Sequence, residues 1–312
     1  MALSLSWHAR AQRAPRRMAW FGIGRPGARS PFLEATLAGM REQGWEVGRN
    51  LSLEIYETGG TEAEAGVLAA KMLASNPELV VVYGRDVLTV HRAKPSMPVV
   101  FAFSGDPADA GVVQSFARPG GNFTGLSFMS LELAGKRIEV LREIFPDMRR
   151  LGVLARPEHP GEHREREVSD AIAKKLDVAV SYVPIQSAAD LDEAFRAISR
   201  EKCDSLVTFP DGLMLNSSAR IAKFALEARL VSISGWAGFA DNGFLASYGP
   251  NLRDSYRKVG HYADRVLRGA KPSEIPVELP QTVEFVLNMR TAAALGLKIP
   301  PAVTVRADRI IE

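Results

Sequence analysis

Short apolar runs alternate with amphipathic segments along the chain from residue 17 onward. This alternation is typical of strand–helix units that surround a parallel β-sheet. The pattern starts again after residue 121, and 312 residues exceed the size at which one hydrophobic core usually stops growing. We therefore expect an α/β protein with two lobes and a cleft between them. The predicted strands are Met18–Ile23, Leu51–Tyr56, Leu79–Tyr83, Val99–Phe103, Leu151–Leu154, Val178–Val183, Ser205–Phe209, Leu230–Ile233, Phe244–Ser247 and Val283–Leu287.

Residues 98–126 contain a pattern that predicts both a binding loop and a hinge. An apolar run ends there in the small and acidic residues Ser104–Pro107, as expected for a buried strand that reaches the carboxyl edge of its sheet. Open α/β sheets bind their ligands at that edge. Further on, Gly120, Gly121 and Asn122 follow a proline, and this combination favours a sharp passage of the chain between two bodies.

Composition excludes several classes of protein. The 39 Lys and Arg residues are spread among 36 acidic ones, and a basic cluster stands out only at residues 10–17, so we expect no nucleic-acid partner. No segment approaches the ~20 apolar residues of a membrane span, so the chain is not expected to be membrane-embedded. The lone Cys203 excludes an intramolecular disulfide and a cysteine-cluster metal site.

The N-terminal residues 1–16 leave two possibilities open. Residues 2–7 are too short for the apolar core of a signal peptide, yet Ala9-Arg10-Ala11 matches the end of a signal cleavage site. A signal peptide that is incomplete in this chain explains both observations. The alternative is a disordered basic tail on a cytoplasmic protein.

A glycine motif provides an alternative function. Gly22, Gly24 and Gly27 form a G-x-G-x-x-G sequence directly after a predicted strand, as in NAD(P)-dependent oxidoreductases. Pro26 removes one N–H group from this loop, and the first acid near the end of the next strand is Glu57, which is late for a ribose contact. We therefore favour a glycine-rich cleft loop and keep the oxidoreductase as the alternative.

Histidines provide no clear catalytic or metal site. His159 and His163 lie near Glu158 and Glu162, but Pro160-Gly161 interrupts the helical spacing that would place both imidazoles on one face. We expect no catalytic residue, no metal and no cofactor.

The chain resembles a family of bacterial ABC transporter substrate-binding proteins that is related to tryptophan- and tyrosine-type uptake receptors. The resemblance extends in order from Arg17 to Glu312. It is carried by Gly105-Asp106-Pro107, Gly111, Arg118-Pro119-Gly120-Gly121-Asn122-x-Thr124-Gly125, Ser247-Tyr248-Gly249, Gly269-Ala270-Lys271-Pro272 and Thr291-Ala292-x-Ala294-Leu295-Gly296-Leu297.

This resemblance implies the type I periplasmic binding protein fold, with two Rossmann-like lobes joined by a three-crossover hinge. We expect residues 17–121 and 248–276 in lobe one, and residues 122–247 and 277–312 in lobe two. The expected hinge residues are Gly120, Gly121, Gly249 and Pro250. The resemblance further implies a monomer in the periplasm that binds a small solute and delivers it to an ABC permease and its ATPase.

Several side chains at strand ends could bind a solute with a carboxylate. Arg29-Ser30 and Tyr83-Gly84-Arg85 would contact the carboxylate, although the family usually has small or hydroxyl residues near Gly84, and Arg85 could equally point away. Asp211 matches an acid that the family's amino-acid binders have in lobe two, where it would accept from a solute ammonium, or it could instead cap a helix. Asp106 could likewise contact the ligand or cap a helix.

Aromatic residues at strand ends could enclose a flat ligand. The candidate ligand-binding residues are Arg29, Ser30, Tyr83, Gly84, Arg85, Phe103, Ser104, Asp106, Asn122, His159, Phe209, Asp211, Trp236 and Tyr248.

Overall fold

The computed structural model describes residues 14–24, 30–59, 61–128 and 131–312, and it forms two α/β lobes. Lobe one has a parallel sheet of five strands in the order β2-β1-β3-β4-β5. Its central strands are buried on both faces, as expected where helices cover both sides of a parallel sheet. The strands are β1 (Arg16–Ile23), β2 (Leu51–Thr58), β3 (Leu79–Tyr83), β4 (Val99–Phe103) and β5 (Phe123–Ser127).

Lobe two has a sheet of seven strands in the order β12-β11-β10-β9-β8-β6-β7. Strand β11 runs antiparallel to β10, and the other pairs are parallel. The strands are β6 (Arg150–Ala155), β7 (Ala179–Pro184), β8 (Ser205–Thr208), β9 (Val231–Ser234), β10 (Ala246–Pro250), β11 (Val283–Asn288) and β12 (Arg309–Ile311).

Helices connect most of the strands and cover the sheets. In the described residues these are α1 (Pro31–Glu42), α2 (Glu62–Ala74), α3 (Asp86–Arg92), α4 (Leu131–Ile144), α5 (Glu162–Lys175), α6 (Leu191–Arg200), α7 (Gly212–Asn216), α8 (Ser218–Glu227), α9 (Ala237–Asp241), α10 (Leu252–Leu267), α11 (Met289–Leu295) and α12 (Pro301–Thr304). No helix of the described segments is both long and apolar enough to cross a membrane.

The first crossover lies later than predicted. Gly120 and Gly121 precede β5, which pairs with β4 in the first sheet, so the chain leaves lobe one only after Ser127. The prediction of a hinge at Gly120 and Gly121 is therefore wrong. Gly125 permits the close pairing of β5, because a Cβ there would lie 2.0 Å from the Phe101 carbonyl oxygen.

The two later crossovers also differ from the predicted boundaries. Gly249 and Pro250 end β10 in the second sheet, so the return to lobe one begins at Asn251. Helix α10 then packs against α1 so closely that a Cβ on Gly260 would lie 2.2 Å from the Thr36 carbonyl oxygen. The chain is still in lobe one at Glu278, whose backbone bonds to β5, and it reaches lobe two again at β11.

A buried ion pair fixes the interior of lobe two. Arg137 on α4 is 2 % exposed, and its Nη1 donates to Glu165 Oε1 on α5 at 3.0 Å. Its Nε donates to the Tyr248 carbonyl oxygen on β10. One guanidinium thus links two helices to the strand that precedes the second crossover.

Candidate ligand-binding site

A cavity of about 280 Å³ lies between the two lobes, where the carboxyl ends of their parallel strands face each other. This is the position at which open α/β sheets bind ligands. Lobe one contributes Ile23, Phe32, Gly59, Tyr83, Gly84, Arg85, Ala102, Ser104, Phe128, Leu252 and Tyr256, and lobe two contributes Arg156, His159, Gln186, Ser187, Ala188, Asp211, Gly212, Leu213, Leu215, Asn216 and Trp236.

Aromatic rings form the lobe-one wall of the cavity. Phe32 at the start of α1 stacks on Tyr256 of α10, with ring centroids 4.4 Å apart. Tyr83 meets both rings edge-on, and Phe128 meets Tyr256 in the same way. Such an assembly provides a rigid apolar surface for a flat ligand.

Tyr83 is held in place by β1. Its hydroxyl donates to the Ile23 carbonyl oxygen, and burial raises its pKa well above the ordinary value, with a further contribution from the Glu57 charge. A Cβ on Gly22 would lie 2.2 Å from the Tyr83 ring. The first glycine of the G-x-G-x-x-G sequence thus makes room for this ring, while Gly27 lies outside the described residues.

Lobe two contributes a cation and an acid in contact with each other. Arg156 follows β6, its Nη1 lies 3.7 Å from Asp211 Oδ2, and its Nη2 lies 3.5 Å from Glu158 Oε2. Its buried Nε has no hydrogen-bond partner among the described residues. Asp211 Oδ1 accepts from the Met214 N–H at 2.8 Å, which makes Asp211 the N-cap of α7.

Arg85 adds a second cation on the lobe-one side. It lies after Gly84, a glycine with φ of +64°, and directly before α3. Its side chain is partly buried and lines the cavity, and it has no ion pair or hydrogen bond in the described parts of the chain. The guanidinium is therefore available to a bound anion.

Two polar contacts join the lobes beside the cavity. Ser104 Oγ lies 2.8 Å from His159 Nε2, and Arg164 Nη1 donates to Asp106 Oδ2 at 2.6 Å. The backbones also approach closely there, since a Cβ on Gly105 would lie 2.7 Å from the Pro160 carbonyl oxygen. These contacts link the two lobes next to the cavity.

Trp236 lies on the lobe-two side of the cavity, directly before α9. The residue is 5 % exposed, and its indole N–H has no hydrogen-bond partner within the described residues.

Seven of the sequence-predicted residues line the cavity: Tyr83, Gly84, Arg85, Ser104, His159, Asp211 and Trp236. Others have structural positions instead. Ser30 caps α1, and Asp106 Oδ1 accepts from the Ala108 and Asp109 N–H groups in addition to its contact with Arg164. Arg29 lies outside the described residues.

Four predicted ligand residues do not line the cavity. Phe103, the last residue of β4, is buried in the core of lobe one, and Phe209, directly after β8, is buried in the core of lobe two. The side-chain amide of Asn122 donates to the carbonyl oxygens of Pro95 and Met97, so it holds the segment before β4 in place. Tyr248 packs against Phe285 in lobe two.

Sequence reasoning missed several lining residues. Arg156 follows a strand at the carboxyl edge, and the rule that selected Ser104 could have identified it. Phe32 lies just inside the helix that Ser30-Pro31 begins. Tyr256 lies within a long helix after the second crossover, and no local pattern in the sequence distinguishes it from a core residue.

Comparison with known proteins identifies a matching family and a similar protein. Residues 28–311 match the family described as ABC transporter substrate binding protein. A tyrosine-binding protein of Clostridioides difficile strain R20291 is 23 % identical over 273 residues, which cover 87 % of this chain and 77 % of that protein.

Two solved structures are also similar. A conserved domain protein from Vibrio cholerae shares 26 % identity with a TM-score of 0.86, and covers 95 % of this chain and 99 % of its own. An ABC domain from Streptococcus pneumonia, solved in complex with L-Trp, shares 21 % identity with a TM-score of 0.88, and covers 96 % of this chain and 100 % of its own. The chain folds as predicted into a type I periplasmic binding protein, and it belongs to the ABC transporter substrate-binding protein family.

Proposed function

We propose that this protein is the solute receptor of an ABC importer and that its solute is a small aromatic carboxylate, either an amino acid or an aromatic acid. The receptor encloses the solute between its lobes and delivers it to a membrane permease driven by an ATPase. It acts outside the cytoplasm, in the periplasm, as a monomer.

The observation that carries this proposal is that one cavity is lined by both aromatic rings and guanidinium groups. The rings of Phe32, Tyr83 and Tyr256 form an apolar wall, and the guanidinium groups of Arg85 and Arg156 lie elsewhere on the same lining. An aromatic ring and a carboxylate on one small molecule match these two kinds of lining group, because arginine binds carboxylates through paired N–H donors.

The relatives support the same ligand class. The Clostridioides difficile relative is named for tyrosine binding, and the Streptococcus pneumonia structure holds L-Trp. The lobe contacts Ser104–His159 and Asp106–Arg164 support enclosure of the ligand, as expected when two lobes close around a solute.

Thermal unfolding with a panel of compounds tests the proposal. The panel contains L-phenylalanine, L-tyrosine, L-tryptophan, benzoate, 3-phenylpropionate, L-leucine, glucose and NAD. A ligand at 100 times its Kd stabilises the folded state by about 2.7 kcal/mol, so at least one aromatic carboxylate should raise the Tm by several degrees.

Two variants test whether the increase in Tm depends on the cavity. Arg156→Gln removes a cavity cation and should reduce the Tm increase, whereas Arg118→Gln removes an exposed cation of lobe one that does not line the cavity and should retain it. Stabilisation by NAD alone would contradict the proposal and favour a nicotinamide-dependent enzyme.

A further inference from the structure

We propose that the cavity selects an aromatic carboxylate without an ammonium group, such as 3-phenylpropionate, over the corresponding amino acid. This inference rests on the proposed function and narrows its ligand class. Three features of the lining support it: the charges of its side chains, the contacts that Asp211 already makes within the protein, and the lack of an ion-pair partner for Arg85 among the described residues.

The charges of the lining favour a net anion. Arg85 and Arg156 each carry a positive charge, and Asp211 is the acid that lines the cavity within the described residues. Residues 1–13, 25–29, 60 and 129–130 contain no aspartate or glutamate, so they cannot add a carboxylate. Asp211 and the half-exposed Glu158 both face Arg156, so the positive charge without an ion-pair partner in the described residues is that of Arg85. A monoanion would neutralise this charge, whereas a zwitterion would not.

The Asp211 carboxylate is already engaged by the protein. Its Oδ1 accepts from the Met214 N–H at 2.8 Å, and its Oδ2 faces Arg156 Nη1 at 3.7 Å. A solute ammonium would have to compete with a helix cap or with a guanidinium for these oxygens. The neighbouring His159 cannot replace it as an anionic acceptor, because an imidazole is neutral or positive.

Arg85 provides the site for the solute carboxylate. Within the described residues its guanidinium has no ion pair or hydrogen bond, although it is partly buried. Glu158 and Asp86 line a separate cavity of about 250 Å³ that Arg85 also borders, and Glu158 is 53 % exposed on its side chain. Asp86 is held by the Thr58 hydroxyl at 2.9 Å. Arg85 is therefore the cation of the cavity least neutralised by the protein.

Three compounds with the same ring and chain length separate the contributions of the charged groups. These are 3-phenylpropionate, L-phenylalanine and 2-phenylethylamine, which carry a carboxylate, both groups and an ammonium, respectively. Isothermal titration calorimetry should show that the wild-type protein binds 3-phenylpropionate at least tenfold tighter than L-phenylalanine. Binding of 2-phenylethylamine should be undetectable.

Variants assign the selectivity to Arg85. Arg85→Gln should weaken 3-phenylpropionate binding at least tenfold, Arg85→Lys should weaken it less, and the exposed control Arg118→Gln should leave it unchanged. Circular dichroism and thermal unfolding establish that each variant is folded.

Two results would overturn the inference, and they have different meanings. Equal or tighter binding of L-phenylalanine would reject the selection against ammonium while leaving the receptor function intact. Failure of every aromatic carboxylate and amino acid to bind the wild-type protein would reject the proposed function as well.

Discussion

The Ser104 hydroxyl lies 2.8 Å from Nε2 of His159, and this hydrogen bond joins the two lobes at the cavity. Ser104→Ala should remove it and weaken ligand binding about two- to tenfold, because one hydrogen bond contributes roughly 0.5–1.5 kcal/mol. Calorimetric titration measures this change. The control Ser199→Ala changes an exposed residue of α6 in lobe two and should bind normally. Equal affinities of both variants would show that the contact does not stabilise the bound form.

His159 should make stability depend on pH. Burial lowers its pKa; Asp211 opposes this shift, and the cations of Arg156 and Arg85 add to it. The unfolded chain therefore binds the proton more readily, so the free energy of unfolding decreases as the pH falls through the ordinary histidine pKa of about 6.5. The loss is complete once the pH lies below the lowered pKa of the folded state.

Urea unfolding between pH 8 and pH 5, values chosen to bracket the ordinary histidine pKa of about 6.5, measures this effect. The His159→Gln variant should show a smaller decrease than the wild-type protein over that range. His91, whose pKa burial also lowers, remains in both proteins and cancels in the comparison. Identical pH dependence of the two proteins would show that His159 is not the responsible group.

Asp211 should act mainly as a helix cap. Asp211→Asn keeps an acceptor for the Met214 N–H and should preserve 3-phenylpropionate binding, whereas Asp211→Ala should lower the free energy of unfolding by about 1 kcal/mol. Urea unfolding and calorimetry together separate these roles. If Asp211→Asn instead weakened L-phenylalanine binding alone, the acid would contact the solute ammonium.

The ion pair of Arg137 and Glu165 should dominate the stability of lobe two. Glu165→Gln leaves a buried guanidinium without its counter-charge and should lower the free energy of unfolding by about 3–5 kcal/mol. Burial raises the pKa of Glu165, and the Arg137 charge opposes this rise. The control Glu167→Gln, on the exposed face of the same helix, should change stability by less than about 0.5 kcal/mol. A loss below 1 kcal/mol in the first variant would contradict the assignment.

The revised crossover gives a further prediction. A Cβ on Gly121 would meet no atom within 4 Å, so Gly121→Val should leave folding and ligand binding nearly unchanged. Gly125→Val should lower the Tm strongly or prevent folding, because its side chain would collide with the backbone of Phe101. Circular dichroism on heating compares the two variants. A large loss in Gly121→Val would contradict the assignment of Gly121 to a position with room for a side chain.

The fold was largely predictable because buried parallel strands have a clear sequence signal. The predicted bounds of Leu79–Tyr83 and Val99–Phe103 agree with β3 and β4, since both are continuous apolar runs ended by small or polar residues. Strand β5 was missed because the glycine cluster before it and Gly125 within it favour a turn in isolation. The pairing with β4 that stabilises it is not local in sequence.

The site was predictable only where strand ends determine it. Tyr83, Ser104 and Asp211 follow strands or end them, and the carboxyl-edge rule places them at the cavity. Tyr256 reaches the cavity because α10 returns to lobe one after the second crossover and packs on α1. That position depends on the assembly of both crossovers, which no short sequence pattern describes.

A crystal structure of the protein with 3-phenylpropionate tests the central claim most directly. The account predicts the ring of the ligand against Tyr83 and Tyr256, and its carboxylate within hydrogen-bond distance of the Arg85 guanidinium. Ligand density outside the cavity, or an empty cavity at a concentration that saturates the protein in calorimetry, would contradict it.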